Sequence, residues 1–357
     1  MKKKFFFQVS MVTLLISLLT GQNNYSLAQT AIPDSSKKSF RLFENDKIID
    51  ITLRFDLTSY FRTKPTVDYL KANMTIHLSK TDSISRDIGL RTYGTFRNKY
   101  CQFAPIELNI EKAHFGYSDL DKMFRLKLVP ECTSSTENKN YILKEYLAYK
   151  LFNVLTDTSL KVRLVTVNFM DTEKKRDTIH KYGFFIEPVE MLTARTSSVQ
   201  IESANLKQKD IVPDVMDRLA IFNYMIGNYN WSVPGLHNVL VIKPVGPDST
   251  NLVAIPYDFD WTGLVNASYA IPTEDMGIKN IRERIFEGIC RSKEVYLKDL
   301  ERFSEKKDEF YKVVNEFPYL SQSERNDVIG YLDEFFNQFA GSKDMLINTL
   351  INYCKRF

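Results

Sequence analysis

The sequence predicts an α+β chain in two parts, a β-rich front half and a mainly helical back half. Three observations lead there. Short runs rich in β-branched and apolar residues recur at 48–55, 72–77, 106–110, 122–129, 162–169 and 182–187, the pattern of half-buried strands. Between them, residues 140–155 carry Ile142, Leu143, Tyr146, Leu147, Tyr149, Leu151 and Phe152 at helical spacing, which predicts one helix among the strands. From residue 278 to the C-terminus the pattern becomes helical, with charge on the outer faces. With 357 residues and 44% hydrophobic content, the chain can bury a sizeable core in one two-lobed domain or in two domains.

The chain opens on Lys2, Lys3 and Lys4, continues with a largely apolar segment at 5–19, and reaches Ser26-Leu27-Ala28, a small-residue cleavage site. Residues 1–28 therefore read as a secretory signal. Its apolar part falls short of the roughly 20 residues that a membrane span needs. The mature chain is expected to be exported, periplasmic or extracellular, with no stable transmembrane segment after cleavage. Subtracting the three lysines from the net charge of +4 leaves it near +1. No basic run or stripe is present, so nucleic acid is not an expected partner. Four cysteines remain, Cys101, Cys132, Cys290 and Cys354. An even count suits disulfides in an exported chain. Of the three possible pairings, Cys101–Cys132 and Cys290–Cys354 are favoured, because each pair lies within one half. No CxxC or Cys/His cluster suggests zinc.

Residues 29–38 form a Ser/Pro/Lys-rich start. The strands at 48–55 and 72–77 then make 29–82 an added N-terminal β extension. Residues 88–97 and 106–110 predict two strands around a turn at Gly94. Such a loop can cover phosphates or be only a turn, and Arg91 and Arg97 beside it can touch phosphate or lie at the surface. In 122–129, Phe124, Leu126 and Leu128 share one face while Arg125, Lys127 and Val129 share the other, so Lys127 projects away from the most apolar face. Glu145 sits within the helical stripe, three residues after Ile142 and four before Tyr149. A carboxylate there is costly unless paired. Lys127 is its natural partner, as a structural ion pair or as a phosphate-positioning one. Pro188 stops the strand at 182–187, residues 195–210 read as a loop, and 214–227 reads as a helix.

That helix feeds the stretch on which a functional reading rests, GNYNWSVPGLHN at 227–238. The apolar runs 238–242 and 251–255 follow, joined by turn residues at 244–250, and predict a hairpin. YDFD leaves it at 257–260. Asn238 and Asp258 thus arrive at the same end of one hairpin. An amide oxygen and a carboxylate together suit a hard cation such as Mg²⁺, usually completed by substrate phosphates.

GNYNWSVPGLHN followed by YDFDWTGLVNASYAIP resembles the bacterial CotH-like family of atypical kinases and, more distantly, the HipA-like kinases. The resemblance implies a two-lobed atypical protein-kinase-like fold, with an N-lobe at 83–187 and a C-lobe at 188–357. It implies a phosphotransferase that uses ATP with Mg²⁺ or Mn²⁺ and an unknown protein or small-molecule acceptor. Asn238 and Asp258 would be the metal ligands. Lys127 and Glu145 would position the phosphates, with the Gly94 loop over them. Glu187 would mark the hinge beside the adenine, and 263–272 an activation-segment-like connection. The chain departs from the pattern where a GNxDW motif places the catalytic Asp, because it has Asn230. An amide cannot accept the proton of a substrate hydroxyl, so Asp260 or a water would have to stand in.

Three function classes follow. One is an exported ATP- and Mg²⁺-dependent phosphotransferase whose activity can be low. Another is a catalytically dead kinase-fold module of the cell envelope that binds nucleotide or protein. A third is an envelope protein that binds glycan through aromatics such as Trp231 and Trp261. Glycosidase chemistry by Asp258 and Asp260 would depend on the separation of the two carboxyls.

Overall fold

Strict alternation builds the front of the molecule. In strand β1 (Ile49–Phe55) the residues Ile49, Ile51, Leu53 and Phe55 are buried while Asp50 and Arg54 face out. The computed structural model describes residues 38–133, 135–246 and 250–356. The secretory signal, nearly all of the expected flexible start and the centre of the 244–250 turn lie outside the described residues.

After β1 come helix α1 (Leu57–Thr63) and strands β2 (Leu70–His77) and β3 (Ser83–Thr92). Helix α2 (Phe96–Tyr100), strands β4 (Ile106–Asn109) and β5 (Arg125–Pro130), and helix α3 (Thr136–Leu155) follow, then strands β6 (Val162–Asp171) and β7 (Ile179–Ile186). The seven strands form a closed barrel in the order β1-β2-β3-β4-β5-β7-β6. Strand β6 closes it by pairing in parallel with β1, Ile51 opposite Val167, while the other neighbours are antiparallel. Its interior is filled by Ile51, Leu53, Phe55, Leu90, Leu108, Leu128, Val167 and Phe169 among others.

This corrects the expectation of an appended β extension at 29–82. Strands β1 and β2 are staves of the barrel, not additions to a separate lobe. The reason is edge satisfaction: β1 has a neighbour on each side, β2 and β6, and closure leaves no unpaired backbone row. The loop at Gly94 also differs. It does not turn directly from one strand to the next, because α2 is inserted there.

Helix α3 joins the barrel to the helical part. The Ser135 hydroxyl caps it, accepting the Asn138 N–H at 3.2 Å, as expected of a Ser N-cap. Both of its sides are covered. Tyr146 and Tyr149 pack on Phe184 of β7, Tyr146 also stacks on Phe317, and Phe152 packs on Phe222. The second core continues through helix α4 (Val189–Arg195), strand β8 (Ser198–Ile201), helix α5 (Pro213–Met225) and strands β9 (Val239–Pro244) and β10 (Val253–Pro256). Helices α6 (Lys293–Glu305), α7 (Lys307–Asn315), α8 (Gln322–Gly341) and α9 (Lys343–Tyr353) complete it. Strands β9 and β10 form the expected antiparallel hairpin, Val239 opposite Pro256.

Two local readings are corrected here. The 195–210 segment is not all loop: β8 adds to the hairpin, Gln200 opposite Ile242. The helical tail begins at Lys293, not at residue 278. Tertiary anchors hold the 278–292 segment open, since Arg284 lies over the Tyr331 ring and donates to the Met225 and Tyr331 carbonyls. Such contacts override weak local helical spacing. Both favoured disulfides, Cys101–Cys132 and Cys290–Cys354, are present. Among the described residues, no helix is long and apolar enough to cross a membrane.

Candidate active site

The site lies where the barrel's α2 loop, helix α3 and the end of the β9–β10 hairpin meet. The central loop enters from α5 through Gly227, whose φ is +65° and whose added Cβ would lie 2.1 Å from the Tyr331 hydroxyl. Only glycine satisfies both conditions. Asn228 then shapes the loop, accepting the Asn230 N–H at 2.9 Å and donating to Asn223 at 2.9 Å. Asn230 itself is engaged. Its amide oxygen lies 2.7 Å from His237 Nε2, which makes that ring nitrogen the donor, and its carbonyl accepts from the Asn238 amide at 2.9 Å.

The hairpin brings Asn238 and Asp258 to one end, as its register requires. The Tyr257 N–H donates to the Asn238 carbonyl at 3.0 Å. Both residues adopt left-handed backbone, φ 51° at Asn238 and 62° at Asp258. Asn and Asp tolerate that conformation best, and such positions concentrate at functional sites. The Asp258 N–H is held by the Tyr149 hydroxyl at 2.8 Å. Because the Asn238 NH₂ already donates to the loop, its amide oxygen is directed elsewhere. An amide oxygen and a half-exposed carboxylate are the kinds of group that could hold a hard cation together with ligand oxygens. Among the described residues no three His, Cys, Asp or Glu side chains group to hold a metal alone.

Glu145 is buried and paired as expected, but with a different partner. Arg97 on α2 places Nη2 at 2.5 Å from Glu145 and Nε at 2.7 Å from Asp260, and Asp258 lies 3.9 Å from Nη2. Lys127 makes no ion pair among the described residues; its ammonium sits over the Tyr93 ring at 5.2 Å. The expected Lys127–Glu145 pair is therefore corrected. Lys127 is exposed on its strand, whereas α2 turns Arg97 inward to 7% exposure. An arginine fork can satisfy two carboxylates at once where an ammonium is a point charge.

The electrostatics follow from this shortage of cations. Burial pushes the Glu145 carboxyl up to about 8, opposed by Arg97 and reinforced by Asp260 and Asp258. Asp258 is pushed up to about 7, by burial first and then by the Asp260 charge, while Arg97 and Lys127 pull it down. Since 47% of the Asp258 side chain reaches solvent, water relieves part of the burial cost, and the Asp260 charge is the firmer cause. Burial works against a charged Arg97, yet Asp260 and Glu145 hold its guanidinium well above the ordinary value. A charged Arg97 and a proton-holding Glu145 are compatible, since both Glu145 and Asp258 are raised beside the same guanidinium.

Three other expectations change. Asp260 is 4% exposed and locked to Arg97, so it is not a free base. Glu187 is buried and clamped by Arg195 at 2.7 Å, and its N–H donates to the Lys161 carbonyl. That N–H is already committed, and Glu187 ties the 161–195 region together instead of presenting a hinge donor. Trp231 is 5% exposed and offers no ring to a glycan. Arg91 is likewise engaged, by Glu107 at 2.7 Å and by the Tyr69 ring. Gly94 has φ +82° with open space around it.

Residues that the pattern did not single out for the site are Tyr93, Tyr149 and Tyr269. Burial pushes each hydroxyl above its ordinary value, with the site carboxylates adding to the push. Only Tyr149 carried a signal: it lies four residues after Glu145, on the same helix face.

No protein-family model and no curated protein matches the chain. Among solved structures, the chain is similar to the Helicobacter pylori proinflammatory kinase CtkA, at 11% identity over 64% of this chain and 90% of that one, with a TM-score of 0.35. A likeness that loose carries no inference about this chain.

Proposed function

We propose that the chain is an exported nucleotide-binding protein of CotH-like, kinase-like type, a phosphotransferase of low activity. The observation that supports this reading is that the β9–β10 hairpin brings Asn238 and the half-exposed Asp258 to one end, beside the buried Arg97–Glu145–Asp260 cluster. Lys127 would meet phosphate oxygens. Asn238 and Asp258 would hold one Mg²⁺ or Mn²⁺, which when bound would neutralise charge on ATP phosphates. Tyr149 holds the Asp258 backbone in place, and positioning and charge neutralisation are most of what phosphoryl transfer needs. The low activity follows from Asn230, which cannot take a proton, and from Asp260, already committed to Arg97. Export is supported by the two disulfides, which persist in oxidising compartments.

The same two residues favour a second reading, a nucleotide-binding module without turnover. One experiment separates them: incubate the protein with labelled ATP and Mg²⁺ or Mn²⁺, with Asp258→Ala as control, and follow label transfer and melting temperature. Transfer that is lost in Asp258→Ala supports the phosphotransferase. Stabilisation without transfer supports the binding module. Neither effect would defeat both. Glycosidase chemistry is disfavoured: Asp260 is buried and hydrogen-bonded to Arg97, so it is not a free second carboxyl for that reaction.

A further inference from the structure

We infer that Arg97 is a resident counter-ion standing where a divalent cation would otherwise bridge Glu145, Asp258 and Asp260. This deepens the reading of the cleft as a phosphate site, because it limits that site to the single ion that Asn238 and Asp258 can hold. Three carboxylates from two elements, α3 and the loop after β10, converge on one guanidinium, at 2.5, 3.9 and 2.7 Å. Left without a cation, three carboxylates this close must take up protons or an ion. The fork of Arg97 joins Glu145 to Asp260 directly, the bridging that a metal performs elsewhere. With the guanidinium in place, no three acid, His or Cys side chains among the described residues are grouped to hold a metal.

Arg97 is built into place. Gly94 in left-handed backbone turns the chain into the five-residue α2. The helix ends on Cys101, bonded to Cys132 just before α3. Lys64 Nζ donates to the Asn98 and Cys101 carbonyls at 2.9 and 2.6 Å, and Asn98 donates to the Thr92 hydroxyl at 2.6 Å. A guanidinium on a helix pinned this way behaves as part of the floor, not as a mobile surface charge.

The test is a Mn²⁺ titration, without nucleotide, of the disulfide-intact chain and of Arg97→Gln. It is read as melting temperature and as the free-Mn²⁺ signal in electron paramagnetic resonance. The native chain should take up Mn²⁺ weakly and shift little. Arg97→Gln should melt lower, bind Mn²⁺ about tenfold or more tightly than the native chain, and regain melting temperature as Mn²⁺ is added. Adding Glu145→Gln and Asp260→Asn to Arg97→Gln should remove both the uptake and the recovery. The assignment is overturned if Mn²⁺ neither binds to nor restores Arg97→Gln. Equally tight binding by the native chain, or uptake that survives the triple substitution, also overturns it. Since no nucleotide is present, a gain of Mn²⁺ in a chain that never binds ATP would keep this assignment and remove only the phosphate-site reading.

Discussion

Two charge clusters, one buried and one half-buried, invite comparison. At the site, Glu145, Asp258 and Asp260 share one guanidinium, Arg97. Between α5 and α6, Asp214, Asp217 and Asp299 meet three: Arg291 on Asp217 at 2.8 Å, Arg302 on Asp299 at 3.2 Å and on Asp214, and Arg218 on Asp214 at 4.0 Å. The second cluster is balanced and closes a helix packing. The first is short of positive charge and reaches solvent through Asp258. Equal charge is what a structural network needs. A surplus of carboxylates beside an exposed lysine is what a site awaiting a cation and a ligand would show.

The sharpest way to break this comparison is to remove each cluster's central cation. Arg97→Met should cost about 3–5 kcal/mol in urea unfolding, because it strands a fully buried Glu145. Arg291→Met should cost less, about 2–3 kcal/mol, since Arg218 and Arg302 remain nearby. Equal losses would erase the distinction drawn here.

Next in size is the disulfide beside the site. Replacing Cys101 and Cys132 by Ser opens a loop with a sequence separation of 31, for which chain entropy alone gives about 3–4 kcal/mol. Replacing Cys290 and Cys354 should cost a similar amount. Only the first pair should alter the Mn²⁺ response, because only it pins the helix that carries Arg97. A changed Mn²⁺ response from the second pair would contradict that.

The balanced cluster makes its own prediction. Burial first, and then the Asp217 charge, push the Asp299 carboxyl up to about 6. A folded-state value above the unfolded one means that the native state holds the proton more tightly. Stability is therefore lost as pH rises from about 4 through about 6. Asp299 faces Asp217, Asp214, Arg302 and Lys298, and one of its oxygens is buried without a partner. Asp299→Asn should flatten that pH dependence and gain about 1 kcal/mol at pH 7, discounted for the solvent that reaches Arg302. An unchanged pH profile by thermal melting would count against the buried charge.

The smallest stability effect should come from the rim. Lys127→Met should change stability by no more than about 0.5 kcal/mol while abolishing any melting shift caused by ATP. A retained shift would show that Lys127 does not meet the ligand.

Much of the frame was legible from periodicity. Alternation in 48–55 and 162–169 marked β1 and β6, turn residues at 244–250 marked the hairpin, and the hairpin register delivered Asn238 and Asp258 together. The cysteine pairs followed from their placement in the two halves. Arg97 was not legible as the partner of Glu145: nothing local distinguishes it from Arg91, which pairs with Glu107 on the barrel wall. Barrel closure was equally hidden, because the parallel pairing of β1 with β6 joins strands more than a hundred residues apart.

The amino-acid order alone determined which segments alternate, which coil, and that a buried Glu145 had to find a cation. Folding in three dimensions decided which cation it found, that β1 and β2 belong inside the barrel, and that Asp260 and Glu187 are spent on internal bonds. The division has a physical cause. Side-chain periodicity is a property of neighbours along the chain, whereas the choice of an ion-pair partner is made by whichever charged group the packed elements bring within about 3 Å of a desolvated carboxylate.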